Sequence, residues 1–596
     1  MDAKTYSRQN IDFLLNEVLD VNSLVQHEYF NAHSAETFAM TLDMAADISD
    51  RILLPNFVDS DRKQPELENG QVKVHKGVHQ FVKAYSEAGL LASPFPFEYD
   101  GQQLPKTVFA ATEYITASSH NSFVMFTDLT GGSAGLILKF GTDEQKDFYL
   151  PKMLSGKWLG TMCLTEPQAG SSLSDISTVA IPQADGTYKI VGQKIFISAG
   201  DQDITDNIIH LVLARIEGAP KGTKGISLFI VPKNRIDDNN VSNDVSSIGI
   251  FHKMGQKATP ALHLAFGEKE NCIGYLLGIE NQGLPQMFQM MNGARLGVGM
   301  AGVAAASAAY FTSLNYAKER PQGRKLDSKV FQENQALIIE HPDVRRMLLS
   351  QKAMVEGGLA LLLQCYLYLD LLKVSTNADE IQKYDALLEL LTPVAKTYGA
   401  EMGIVSVNLG MQVLGGYGYT EDFVLEQLAR DVRITSIYEG TTGIQAQAVL
   451  GRQITRNNGI ALVLWQEEVN KVIEAAKKHE NLVAEATKLE ENLKSFKKTT
   501  YHLLGIAAKG NAEVFMADAT LYLEYFGILN VAWQWLLMAV TAANALAEKA
   551  DESGFYEAKI KTMKFFYKYE LSKTAYLANC LTDEQTLTIK GDGVEL

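Results

Sequence analysis

Between residues 161 and 280 the apolar period of this chain changes from helical to strand-like, and helical spacing returns on either side. Thr187-Tyr188-Lys189-Ile190-Val191 follows Asp185-Gly186, a pair that readily takes the left-handed backbone of a tight hairpin turn. Residues 209–214 and 226–231 are short aliphatic runs and read as further strands. A β domain therefore sits between helical ones.

The spacing predicts helices up to about residue 160, broken at Pro55, Pro94-Phe95-Pro96 and Pro105. Helices return over 281–455, including a long apolar stretch that begins at Arg295. Beyond 456, Leu482, Ala486, Leu489, Leu493 and Phe496 recur at four-three spacing in a charged background, one face of an amphipathic helix. The expected architecture is an α+β multidomain chain. It has an N-terminal helical domain (1–160), a central antiparallel, barrel-like β domain (161–280), a helical bundle domain (281–455) and an extra C-terminal helical domain (456–596). A chain of 596 residues is long enough to bury several cores.

A formal net charge of −16 disfavours nonspecific attraction to DNA or anionic membrane. The four cysteines, Cys163, Cys272, Cys365 and Cys580, form no CxxC pair, so neither a disulfide framework nor a zinc site is suggested, and a reducing cytoplasm fits. Residues 1–16 are polar and lack the apolar core of a secretory signal. Residues 525–547 carry no charge and are long enough to span a bilayer, but Asn530, Gln534, Thr541 and Asn544 interrupt them, which favours a buried bundle helix.

Chemistry is concentrated in two segments. Ile437-Tyr438-Glu439-Gly440-Thr441-Thr442-Gly443-Ile444-Gln445 sets a carboxylate beside a glycine, where another molecule can approach closely and lose a carbon-bound proton. Taken alone, the same residues fit a solvated helix end. Met162-Cys163-Leu164-Thr165-Glu166-Pro167-Gln168-Ala169-Gly170-Ser171 puts small and hydroxylated residues after an apolar run, a backbone able to donate NH groups to a flavin edge or pyrophosphate. A turn before a strand has the same appearance.

Together these segments resemble the acyl-CoA dehydrogenase family. The resemblance covers roughly residues 30–455 and continues in order through Gly192-Gln193-Lys194-Ile195-Phe196-Ile197-Ser198, Arg295, Arg320 and Gln412-Val413-Leu414-Gly415-Gly416. The carboxyl-terminal extension and His341-Pro342-Asp343-Val344-Arg345-Arg346 are similar to the extended bacterial members of the 3-methylmercaptopropionyl-CoA dehydrogenase type.

The resemblance implies FAD-dependent α,β-dehydrogenation of an acyl-CoA thioester to the trans-2-enoyl-CoA, a β-oxidation reaction. It makes Glu439 the base for the α proton, flavin N5 the hydride acceptor and the Glu439 NH a donor to the thioester oxygen. Some members carry the base immediately before the arginine; here that position is Ala294, so the base falls to Glu439. FAD contacts are implied at Met162, Leu164, Thr165, Ser171, Phe196, Ser198, Arg320, Gln322, Gln412, Gly415, Gly416 and Thr441, some of them reaching the cofactor of a neighbouring subunit. Substrate contacts are implied at Ser171, Met291, Asn292, Arg295, Tyr438 and Gly440. Phe196 and Ser198 stand where the family more often has tryptophan and threonine, and Gly443 stands where the family has a glutamine, so that FAD contact is not carried over, while Thr441 retains the hydroxyl. Arg295 also reads as a helix-surface ion pair, and His341 as a satisfied turn residue.

A homodimer and an electron-transfer flavoprotein are the expected partners, with no nucleic acid and no stable membrane insertion. An acyl-CoA oxidase is one alternative. The other is a DNA-associated alkylation-response flavoprotein of the same superfamily, which calls for a basic carboxyl region, whereas Lys477-Lys478 and Lys497-Lys498 alternate with glutamates.

Overall fold

Two units divide the chain, Ala32–Ala294 and, together, Met1–Asn31 with Arg295–Leu596. The computed structural model describes residues 5–236, 241–325, 334–548, 553–583, 585 and 587–589, with side chains described there except at 289–291.

In the unit Ala32–Ala294, the helix Ala35–Ile48 starts at Ser34, whose hydroxyl accepts from the Thr37 amide while Thr37 Oγ1 accepts from the Ser34 amide. Thr142 and Gln145 repeat this reciprocal cap at the helix Asp143–Leu154. Between them runs Lys106–Phe140, bent where His120 leaves helical geometry (φ −165°, ψ 78°). The first region also holds an unexpected hairpin, β1 (Glu66–Glu68) and β2 (Gln71–Lys73). Its turn is Asn69-Gly70, with φ of 51° and 79°, the left-handed pair that an Asn-Gly turn supplies.

The β region comprises β3 (Trp158–Cys163), β4 (Val179–Pro182), β5 (Tyr188–Ser198), β6 (Asn207–Ile216), β7 (Ile226–Pro232), β8 (Val245–Ile250), β9 (Ala261–Phe266) and β10 (Ile273–Leu276). The strand order is β10-β7-β6-β4-β5-β9-β8, and a further β10–β5 pairing closes five of these strands into a ring. Pairing is mostly antiparallel, but β3 and β4 each join β6 in parallel. Ile209, Leu211, Leu213, Leu228 and Ile230 pack with Ile137, Tyr149, Leu150 and Met153 of the helices. The alternate residues Val212, Ala214, Phe229 and Val231 pack with Ile190, Leu262, Leu264 and Phe266. Burial on both faces is why these strands read as continuous apolar runs.

In the other unit, the helix Ala378–Leu414 crosses the Arg295-to-Glu319 part of the helix Gly283–Glu319 at glycines. A Cβ on Gly302 would lie 2.3 Å from the Gly399 carbonyl oxygen, and one on Gly399 would lie 2.3 Å from that of Gly299. No side chain fits between the backbones, so the residues flanking the crossing, Arg295 and Lys396, are brought into one neighbourhood.

The extension forms Ile460–Ala476, Val483–Ala508, Ala519–Ala547, Ser553–Tyr569 and Thr574–Thr582. Leu482, Ala486, Leu489, Leu493 and Phe496 are all buried. The Trp465 indole donates to Asn530 Oδ1 at 2.8 Å, and Trp535 donates to the Ala353 carbonyl at 3.0 Å, tying the extension to the helix Pro342–Val374. Among the described residues, three helical stretches are long and apolar enough to cross a membrane: Gly283–Glu319, Pro342–Val374 and Ala512–Ala547. In the last, 89% of the apolar window is buried within the protein, so packing takes up the surface that lipid would otherwise cover.

Candidate active site

Glu439 sits in a turn between a short 3₁₀ segment, Arg433–Ser436, and the helix Thr442–Ala448. Its φ is 52° and that of Gly440 is 89°, so two consecutive residues are left-handed, and the first of them is not glycine. Such backbone costs of order 1–3 kcal/mol and persists where its surroundings over-determine it. Three side chains do so here. Gln445 Nε2 donates to the Glu439 carbonyl at 2.9 Å and to that of Gly440 at 3.3 Å. Lys396 Nζ donates to the Gly440 carbonyl at 2.9 Å. Thr441 caps the following helix, its hydroxyl accepting from the Ile444 amide at 3.3 Å.

Burial raises the Glu439 carboxyl above the ordinary glutamate range, and the charges of Arg295 and then Lys396 pull it back down. Burial likewise lowers Arg295, which Glu439 supports and Arg452 opposes. A desolvated carboxylate steadied by two cations is a better base than an exposed glutamate, yet remains ionisable. Among the described residues none accepts from the Glu439 amide, so that NH is open to a ligand oxygen. Tyr438 beside it is half-buried.

The second segment lies in the other unit. Lys194 and Glu166 form an ion pair at 2.8 Å with both side chains out of water, and Lys194 also donates to the Leu164 carbonyl at 3.0 Å. Glu166 further accepts from the amides and hydroxyls of Ser177 and Thr178. The Ile195 amide donates to the Thr165 carbonyl at 2.9 Å, which joins the two motif runs. The next residue, Phe196, has a φ of 58° at a bulge in the β5–β9 ladder and keeps 58% of its surface exposed beside Phe251, 4.5 Å away between ring centroids. Met162, Leu164, Thr165 and Ser198 are half-buried, and Ser171 is exposed. This donor set suits a flat aromatic group with polar edges: an exposed ring face, hydroxyls nearby, and the local carboxylate already neutralised by Lys194.

Arg320 and Gln322 are exposed on a segment bridged antiparallel to residues 336–338, where the Ile338 amide donates to the Arg320 carbonyl and the Gln322 amide to the Ala336 carbonyl. His341 bonds through Nε2 to the Gln322 carbonyl at 2.7 Å, the satisfied turn role. Gln412, Gly415 and Gly416 lie exposed at the end of the helix Ala378–Leu414, and a Cβ on either glycine would meet nothing within 4 Å. Asn292 is half-buried on the helix Gly283–Glu319, and Met291 lies outside the residues whose side chains are described. A cavity of about 420 Å³ lined by Gln9, Asp12, Phe13, Asn16, Glu17 and Phe555 contains none of these residues.

Sequence reasoning missed Lys396, Gln445 and the Lys194–Glu166 pair as parts of the site. For Lys396 there was a signal: one lysine inside the otherwise uncharged run Leu390-Leu391-Thr392-Pro393-Val394-Ala395-Lys396-Thr397-Tyr398-Gly399.

Four family descriptions match the chain in order. They are the acyl-CoA dehydrogenase N-terminal domain over residues 36–157, middle domain over 161–268 and C-terminal domain over 281–454, then an acetyl-CoA dehydrogenase C-terminal-like domain over 465–590. The chain is 37% identical over 553 residues to the 3-methylmercaptopropionyl-CoA dehydrogenase of Ruegeria pomeroyi, covering 91% of each. It is 34% identical over 580 residues to a butyryl-CoA dehydrogenase of Syntrophomonas wolfei, covering 94% of each. Among solved structures, an acyl-CoA dehydrogenase complexed with FAD from Bacillus anthracis superposes with a TM-score of 0.74 at 21% identity, over 97% of this chain and 92% of that one.

Proposed function

The chain belongs to the acyl-CoA dehydrogenase family, and on that premise we propose that Glu439 is its catalytic base. The enzyme is an FAD-dependent oxidoreductase acting on the CH–CH bond of an acyl-CoA thioester. Bound FAD supplies the acceptor for the β hydride.

The residues that would hold it are Met162, Leu164, Thr165, Ser171, Phe196, Ser198, Arg320, Gln322, Gln412, Gly415, Gly416 and Thr441. Ser171, Met291, Asn292, Arg295, Tyr438 and Gly440 are the proposed substrate contacts. Glu439 takes the α proton through a carboxylate made more basic by burial. Its open amide stabilises the charge that develops on the thioester oxygen, as a preorganised donor does in an oxyanion hole. The observation that carries this reading is the left-handed Glu439–Gly440 turn, clamped from two sides by Gln445 and Lys396.

Glu439→Gln keeps size and removes the base. The variant should fold and stay yellow while substrate-dependent turnover falls by roughly 10²-fold or more. Equal rates for variant and wild type refute the assignment. The names of the two relatives make butyryl-CoA and 3-methylmercaptopropionyl-CoA the first substrates to assay.

The proposed acceptor is an electron-transfer flavoprotein, the carrier that the family resemblance implies. Air reoxidation at the turnover rate with stoichiometric peroxide replaces this reading with an acyl-CoA oxidase. We place the enzyme in the cytoplasm, which suits its four unpaired cysteines. A homodimer is proposed because the extension packs on the helices Pro342–Val374 and Ala378–Leu414, covering surface that an unextended chain leaves open. A monomer by light scattering contradicts it.

A further inference from the structure

We propose that Lys396 is a positioning residue of the active site: its amine fixes the Gly440 carbonyl, and its charge beside Glu439 sets how strongly that base holds a proton. The inference rests on Glu439 being the base.

Lys396 has none of its surface exposed, a placement lysine rarely adopts unless paired. It lies one turn before Gly399, where helix backbones touch, so its stem has no room to turn toward water. Its Nζ ends 2.9 Å from the Gly440 oxygen, the peptide that follows Glu439. Gln445 reaches the same oxygen only at 3.3 Å and is neutral, so the charged, shorter bond is the stronger clamp.

The surrounding charges are few. Glu401 on its own helix, Glu439 on the turn and Arg295 on the crossing helix act on Lys396. Arg295 and Lys396 act on Glu439. Arg452 acts on Arg295, and Glu401, which accepts from Thr442, is in turn felt by Glu524.

The two cations differ in one respect. Arg295 keeps its charge at any working pH. Burial lowers Lys396 to about 8, against the pull of Glu401 and Glu439. Losing its proton leaves an amine that still donates to Gly440, so the turn stays in place while Glu439 becomes a stronger base. The rate of substrate-driven flavin bleaching should therefore pass an acid limb belonging to Glu439 and rise again through an alkaline step belonging to Lys396.

The test is rapid mixing of the FAD-loaded enzyme with butyryl-CoA from pH 5.5 to 10, in wild type, Lys396→Met, Lys396→Arg and Glu439→Gln. Lys396→Met should lose roughly tenfold in kcat near pH 6.5 with KM little changed, shift its acid limb to higher pH and lack the alkaline rise. Lys396→Arg should keep the wild-type acid limb and also lack the alkaline rise, because a guanidinium does not titrate there. A wild-type profile in Lys396→Met, or a flat alkaline side in wild type, overturns the proposal. If Lys396→Met does not fold, the wild-type alkaline side and Lys396→Arg decide. Failure of the base assignment is read separately, as undiminished bleaching by Glu439→Gln.

Discussion

Lys194 meets Glu166 at 2.8 Å with neither side chain in contact with water. Burial works against the charged carboxylate, but the Lys194 charge and the bonds from Lys194, Thr178 and Ser177 overcome it and hold Glu166 at about 2. One carboxylate thus ties the loop after β3, the approach to β4 and the middle of β5, and the first and last of these carry the candidate flavin contacts Leu164, Thr165, Ser171, Phe196 and Ser198.

Lys194→Met should cost about 3–5 kcal/mol, because it strands a buried charge. Thermal unfolding of the apoprotein measures the loss, and FAD should be released on dilution. Adding Glu166→Gln to Lys194→Met should recover part of the stability. If the single variant melts like wild type, the pair does not organise this loop.

Acid should weaken the fold below pH 6.5. His120 and His210 are wholly desolvated, and burial lowers both to about 3. His210 bonds through Nδ1 to Thr161 Oγ1 at 2.7 Å, while its buried Nε2 has no partner among the described residues. From 6.5 down to about 3 the unfolded chain binds protons that these rings refuse, so stability falls with pH, by about 1.4 kcal/mol per unit per ring. Melting temperatures taken from pH 7.5 to 5 should drop, and His210→Gln should flatten the slope. A constant melting temperature over that range would mean that the rings gain protons in the folded state.

The extension offers a neutral counterpart. Asn530→Ala leaves the buried Trp465 indole NH without its acceptor, which costs about 1–3 kcal/mol. The melting temperature should fall while kcat and KM stay at wild-type values. A change in kcat would show that the extension communicates with the site of the reaction.

Local chemistry carried most of the architecture. Asp185-Gly186 does turn the chain between β4 and β5, and the runs 209–214 and 226–231 lie inside β6 and β7. The Asn69-Gly70 hairpin was equally readable but lay inside a region assigned by its helical spacing. The parallel pairing of β3 and β4 with β6 was not readable, because register across a sheet depends on residues far apart in sequence. The same limit hid the clamp on the Glu439–Gly440 turn. Glu439 and Gly440 stood out as a motif, whereas Lys396 lies 44 residues from the carbonyl it holds, and Lys194 lies 28 residues from Glu166. Gln445 was in plain view within the motif, yet only the left-handed turn gives its amide two carbonyls to hold.

That turn makes Gly440 the most demanding residue of the motif. Its φ of 89° is a conformation that residues with a Cβ rarely adopt, and a Cβ there would sit 2.6 Å from Gln445 Nε2. Gly440→Ala must therefore strain the backbone or push the Gln445 amide aside, and either result displaces the Glu439 carboxylate relative to the charges of Arg295 and Lys396 that act on it. The cost in stability should be small, of order 1–3 kcal/mol. The loss in kcat should be larger in proportion, roughly 10²-fold, because displacing the proposed base by about 1 Å undoes the orientation that proton transfer needs. FAD content should be unchanged. Gln445→Ala tests the same clamp from the other side: it removes the amide but leaves the glycine relaxed, so its kcat should fall less than that of Gly440→Ala. If Gly440→Ala retains wild-type turnover, the turn is not what orients Glu439.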